Sequence, residues 1–122
     1  MKNPKEQDLI FYFKNKKFKI KLKKLTELGK GIGLMFKSRK TQNLLFEFKN
    51  PTRMAIHSFF VFFPFAAIWL NEKNEFIEGK IVSPFKFYVA PKNLFYKLIE
   101  IPLRKSEENL PLSSIMERFK YK

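Results

Sequence analysis

The run from Met54 to Leu70, MAIHSFFVFFPFAAIWL, constrains this chain more than any other segment. It carries no formal charge, and it holds five phenylalanines together with the only His and the only Trp of the protein. Such a run spans a membrane, forms a core or lines a site. Its seventeen residues sit at the lower end of the length that a membrane helix needs. Pro64, near its middle, removes a helix hydrogen bond, and His57 and Ser58 are polar. The Phe, Val and Ile content suits buried strands better than a helix. The run therefore predicts two strands, 54–60 and 65–71, folded back on each other at a Phe63-Pro64 corner. No membrane span is expected.

The rest of the chain is rich in lysine. Lys+Arg number 25 against 11 Asp+Glu, a formal net charge of +14 over 122 residues. That length supports one domain with a real core, and 16 Phe supply large buried areas from few residues. Only Arg39, Arg53, Arg104 and Arg118 are arginines. Lysine is a hydrated point charge, whereas arginine forms the planar fork that grips phosphate. The balance favours non-specific attraction to acidic partners, or a solubilising surface, over sequence readout. With no Cys, there are no disulfides, thiol nucleophiles or Cys-ligated metals. The N-terminal segment lacks a signal-peptide apolar region, so the expected location is cytoplasmic.

Along the chain, residues 1–7 read as frayed, and 8–23 as a hairpin turning at Asn15-Lys16. Lys17 to Lys23 alternates strictly, which places Phe18, Ile20 and Leu22 on a core face and lysines on the other. Such a lysine face also protects an edge strand from pairing with other molecules. Leu25, Leu28, Ile32, Met35 and Phe36 have helical spacing, weakened by Gly29, Gly31 and Gly33, so a short helix ending near Gly33 is predicted. Lys37–Gln42 is a basic loop and Asn43–Lys49 a strand. Asn71–Asn74 is a turn, and Glu75–Val82 is a strand with Gly79 as a bulge position. A short strand at Lys86–Val89, a strand at Asn93–Ile101 and a short terminal helix at 111–119 follow. These elements predict a mainly β (or α+β) single antiparallel domain, sandwich or barrel-like, with one or two short helices.

The inventory for catalysis is thin. Gly29 to Gly33 lacks the spacing of a phosphate loop and reads as a turn. His57 is the sole imidazole; without neighbouring ligands it supports no metal site, and a buried, hydrogen-bonded structural role is expected. Glu47 and Glu100 lie on alternating strands and are expected to face solvent beside lysines. The aromatic block could stack bases only if exposed among cations, and its uncharged setting predicts core.

Several segments resemble domain-of-unknown-function family 192. Gly33-Leu34-Met35-Phe36-Lys37 resembles its GLMFR signature, and Leu44-Leu45-Phe46-Glu47-Phe48 its following strand. His57 to Phe65 resembles the archaeal-type central block, continued by Ile68-Trp69-Leu70-Asn71, the Ser83-Pro84 loop, and Phe95–Ile101 with Glu100 and Pro102. The resemblance runs over residues 17–102 and leaves 103–122 as a divergent tail. It implies a small, mainly β domain with no established activity. Two departures are Ala66, where the family usually has Asp, and the absence of a closing Gly-Asp turn.

The reading is therefore a small β domain acting as a binding or accessory module through a basic surface. Its expected partners are acidic: nucleic-acid backbone or an acidic protein. The alternatives are a non-specific nucleic-acid binder, or an enzyme or small-molecule binder sited near His57 and the aromatic block. Candidate binding residues are His57, Met35, Lys37, Arg39, Lys40 and Arg53. No cofactor and no metal are expected.

Overall fold

The computed structural model describes residues 6–25, 33–35, 37–86 and 88–121. Among these, seven strands form one curled sheet: β1 Glu6–Phe13, β2 Lys16–Lys24, β3 Asn43–Thr52, β4 Phe65–Leu70, β5 Phe76–Val82, β6 Phe95–Pro102 and β7 Lys120–Tyr121. The order is β1-β2-β3-β6-β4-β5, with β7 against β2. The chain is thus mainly β. Every pairing between these strands is antiparallel except β2 with β3, which run parallel from Leu22↔Asn43. The sheet is mainly antiparallel, as expected; the one parallel seam needs a crossover connection between β2 and β3 rather than a hairpin.

The first hairpin closes at Lys14-Asn15, one residue earlier than expected. Both residues have positive φ (50° and 64°), which matches the right-handed twist of the flanking strands. Pairing begins at Glu6↔Lys23, so Glu6 and Gln7 are strand rather than frayed end. Phe11 and Phe18 stack across it with ring centroids 5.2 Å apart. Phe18, Ile20 and Leu22 are buried while Lys17, Lys19 and Lys21 are exposed, as the alternation requires.

β4 lies between β6 and β5, and all six of its residues are buried. Its two faces serve different cores. Ala66, Ile68 and Leu70 join Leu9, Phe11, Ile20, Leu45, Ile99 and Ile101 on the inner face of the curl. Phe65, Ala67 and Trp69 join Leu44, Phe46, Phe95 and Leu98 on the other face. The curl brings the two edges of the sheet together: Tyr12 N–H donates to Asn74 O at 2.9 Å, and the Phe13 and Phe76 rings lie 4.3 Å apart. The C-terminal tail caps the inner core through Leu103, Ile115 and Met116. It consists of a 3-10 turn (Lys105–Glu107), the helix α1 (Leu112–Met116) and a second 3-10 turn (Glu117–Phe119). Side-chain size decides the packing here: Gly79 pairs in register with Ile68, and a β-carbon there would collide with Leu112 Cδ2. Gly79 thus serves close packing of the tail; the register shift of β5 lies between its Phe76 and Glu78 pairings, at Ile77.

The second half of the apolar run, β4, is the expected buried strand; the first half is not a strand. Residues 54–62 form a loop layer over the outer face, with one isolated bridge, Ile56↔Val89. Ser58, wholly buried, ties this layer to the 83–89 loop: its Oγ donates to Ser83 O (2.7 Å) and accepts from Lys86 N–H (2.5 Å). Backbone groups that a strand would offer to a neighbour are taken by that loop. Phe63 is buried, yet Phe62 is 60% and Phe60 46% exposed, so the block is not all core. Likewise, of the described residues in the expected 86–89 strand, only Val89 forms a bridge. The helix expected between Leu25 and Phe36 falls largely outside the described residues; Gly33–Met35 form a turn. No helix among the described residues is long and apolar enough to cross a membrane.

Candidate functional site

Two concavities hold four of the six sequence-predicted residues. The first is an open basic cleft of about 610 Å³ where the β2–β3 seam meets the C-terminal tail. Lys21, Arg39, Lys40, Arg104, Lys105 and Arg118 line it, against a single lining carboxylate, Glu6. Three of the four arginines therefore converge here, from segments far apart in sequence. Lys21 projects from the polar face of β2. Arg39 and Lys40 come from the basic loop before β3. Arg104 and Lys105 follow β6, and Arg118 lies in the last 3-10 turn.

The three guanidinium groups are held differently. Arg118 makes a two-point contact with Glu107, Nε to Oε2 at 3.0 Å and Nη2 to Oε1 at 3.2 Å. Glu107 also accepts the Arg104 backbone N–H at 2.8 Å, so this buried carboxylate fixes the turn that presents the cleft. Arg39 pairs with Glu108 at 3.3 Å. The exposed Arg104 has no carboxylate partner among the described residues. Partial burial lowers the Arg118 pKa; Glu107 opposes that shift, and Arg104 adds to it by charge repulsion. Two like charges thus act on each other in the cleft, and an anion placed between them would relieve the repulsion.

The second concavity lies on the outer face of the sheet. It is a cavity of about 200 Å³ lined by Gly33, Met35, Phe46, Met54, Ile56, His57, Phe65 and Glu100, among others. Glu100 sits on β6 directly opposite Leu44 of β3 and Ala67 of β4. The small Ala67 and the absent side chain of Gly33 leave space beside the carboxyl; a β-carbon at Gly33 would lie 3.6 Å from Glu100 Oε1. Glu100 is only 4% exposed, contrary to the expectation of a solvent-facing residue. Burial pushes its carboxyl up from 4.5 to about 8, which favours the protonated form at pH 7. Glu47 does follow the expectation, pairing with Lys24 at 2.7 Å and Lys97 at 3.7 Å.

The structure brings His57 and Met35 together in this cavity, and Arg39 and Lys40 in the cleft. Lys37 lines a smaller depression of about 120 Å³ between them with Lys23 and Thr41. Arg53 is exposed and lines neither concavity. His57 is exposed, not buried as expected; its Nδ1 accepts the Phe59 N–H at 3.2 Å, which leaves the neutral ring's proton on Nε2. Glu100, Arg104 and Arg118 were not among the sequence candidates. The signal for Glu100 was its setting, Leu98-Ile99-Glu100-Ile101-Pro102, where apolar residues fall on both faces of a strand. No group of His, Asp or Glu among the described residues could hold a metal ion.

No protein-family model and no curated protein matches the sequence. Solved structures do resemble the fold. A putative transcription regulator from Sinorhizobium meliloti 1021 superposes with a TM-score of 0.68 at 11% identity, covering 80% of this chain and 79% of that one. A protein of unknown function from Novosphingobium aromaticivorans DSM 12444 gives 0.64 at 11% identity, covering 98% and 94%. At such identity these likenesses establish the shared mainly β fold.

Proposed function

We propose that this domain is a binding module whose basic cleft takes the phosphate backbone of a nucleic acid. One observation carries the reading: Arg39, Arg104 and Arg118 converge on a cleft with six cationic side chains and one carboxylate. A scattered positive surface would serve solubility alone. Convergence of guanidinium groups, one of them without a carboxylate, suits phosphate oxygens, which accept two parallel N–H bonds from each fork. None of the described residues lining the cleft is aromatic, so the contact is with backbone rather than bases, and binding is insensitive to sequence. The description of the Sinorhizobium meliloti neighbour is in keeping with this reading. We further propose, on the residues quoted above, that the chain is a divergent member of domain-of-unknown-function family 192, which brings no established activity to the choice.

Electrophoretic retardation with mixed-sequence single- and double-stranded oligonucleotides over a salt series tests the reading. Retardation is expected at low salt and fades as salt rises. Reversing two exposed cleft charges together, Arg104→Glu with Lys105→Glu, weakens binding about tenfold or more by the same counterion argument. No retardation at the lowest salt, or an unchanged double variant, rejects it. Polyglutamate that competes as well as the oligonucleotide would transfer the cleft to an acidic protein.

A further inference from the structure

The cavity on the outer face is independent of the basic cleft and has a different chemistry. Its inner wall carries a carboxyl that is more than nine-tenths buried, and no hydrogen bond or ion pair to it is found among the described residues. A buried polar group of this kind is ordinarily satisfied, by protein, water or ligand. Apart from His57, the remaining walls are apolar, among them Leu34, Met35, Phe46, Ile56 and Phe65, with Met54 at the exposed rim. Methionines line it from two separate segments, and their flexible thioethers adapt to varied shapes.

We propose that this cavity binds a small uncharged molecule, a single ring or short apolar body that carries an adjacent hydrogen-bond donor and acceptor, held by Glu100. A primary carboxamide or the edge of a nitrogen heterocycle has that pattern. Three arguments select it. The volume, about 200 Å³, exceeds the roughly 150 Å³ of an apolar cavity known to take benzene, so one substituted ring fits. A neutral carboxyl presents one O–H donor beside one C=O acceptor, the mirror of an amide edge. Charged ligands are disfavoured: the net charge of +14 repels cations, and an anion would lose its hydration in an apolar cavity.

The groups facing Glu100 are few. Leu44 faces it from β3, Ala67 from β4 and Gly33 from the 33–35 turn. His57, from the 54–57 segment, is the other titratable residue lining the cavity among the described residues. Ionisation of Glu100 removes its donor, so an amide loses one of its two bonds as pH rises past that titration.

The test titrates the full chain with benzamide, toluene and benzylamine, following the methyl resonances of Met35 and Met54 by NMR. Benzamide is expected to shift both methyls and to bind about tenfold more tightly than toluene, the worth of one good hydrogen bond. Its affinity falls as pH rises through and above about 8 in the natural protein. Glu100→Gln, which keeps a donor and an acceptor, retains binding and loses the pH dependence, which also separates any contribution from His57. Glu100→Leu abolishes the preference over toluene. The proposal is overturned if benzylamine binds most tightly, if neither methionine responds at millimolar benzamide, or if Glu100→Leu keeps the preference.

Discussion

The cleft and the cavity place charge in opposite ways. In the cleft, six cations stand at an open surface where water screens them, and the single deeply held contact there is Arg118 with Glu107. In the cavity, one carboxyl stands among apolar side chains and responds by keeping its proton. The same curled sheet builds both. Its seam, where β2 and β3 run parallel, collects polar loops and the tail, whereas its outer face is shielded by a loop layer pinned through Ser58. Charge left open to solvent is a means of attracting a large partner; a polar group set in a mostly apolar pocket selects a small one.

The sharpest way to break this contrast is through pH. Glu100 holds a proton in the folded state that the unfolded chain releases above its ordinary pKa of 4.5. Its contribution to stability is full below that value and is lost progressively as pH rises to about 8, beyond which it changes no further. The loss is on the order of 4 kcal/mol. Urea denaturation of natural and Glu100→Gln protein at several pH values should show the natural protein weakening over this window relative to the variant. Parallel profiles would mean that the carboxyl is solvated. Next in size is Glu107→Ala, which strands Arg118 and should cost roughly 3 kcal/mol, whereas Arg104→Ala should stay within about 0.5 kcal/mol. Equal losses would mean that the cleft arginines share one structural role. Gly33→Ala should cost about 1 kcal/mol, since Gly33 has φ +54°, and it should weaken benzamide by placing a methyl beside Glu100. The smallest effect expected is that of Glu100→Gln on oligonucleotide retardation: none. A change there would couple the two regions.

Much of the sheet is written locally. The alternation of Lys17 to Lys23 states both the strand and its buried face, and Asn71 states its own turn, its Oδ1 accepting the Lys73 and Glu75 N–H groups at 2.9 Å each. The terminal helix with Ile115 and Met116 inward was equally legible. What periodicity does not carry is which strands lie side by side. Residues 54–60 have strand composition, but Ser58 and Val89 draw their backbone into a loop layer. Glu100 occupies a polar-looking position in an alternating strand, yet both faces of β6 are covered, so its period predicts the wrong environment. The cleft was invisible for the same reason, because Arg39, Arg104 and Arg118 meet only after the tail docks.

The strand order has a consequence for how the chain reaches this state. β3 and β4 follow one another in sequence, yet β6 lies between them, pairing Leu44 with Glu100 and Glu100 with Ala67. Until residue 102 has left the ribosome, both strands have a vacant edge, and hairpins on either side have nothing to join them. Closure across such long sequence separations is slow. Insertion of β6 therefore joins the two halves of the sheet, and it is the step that carries Glu100 out of water.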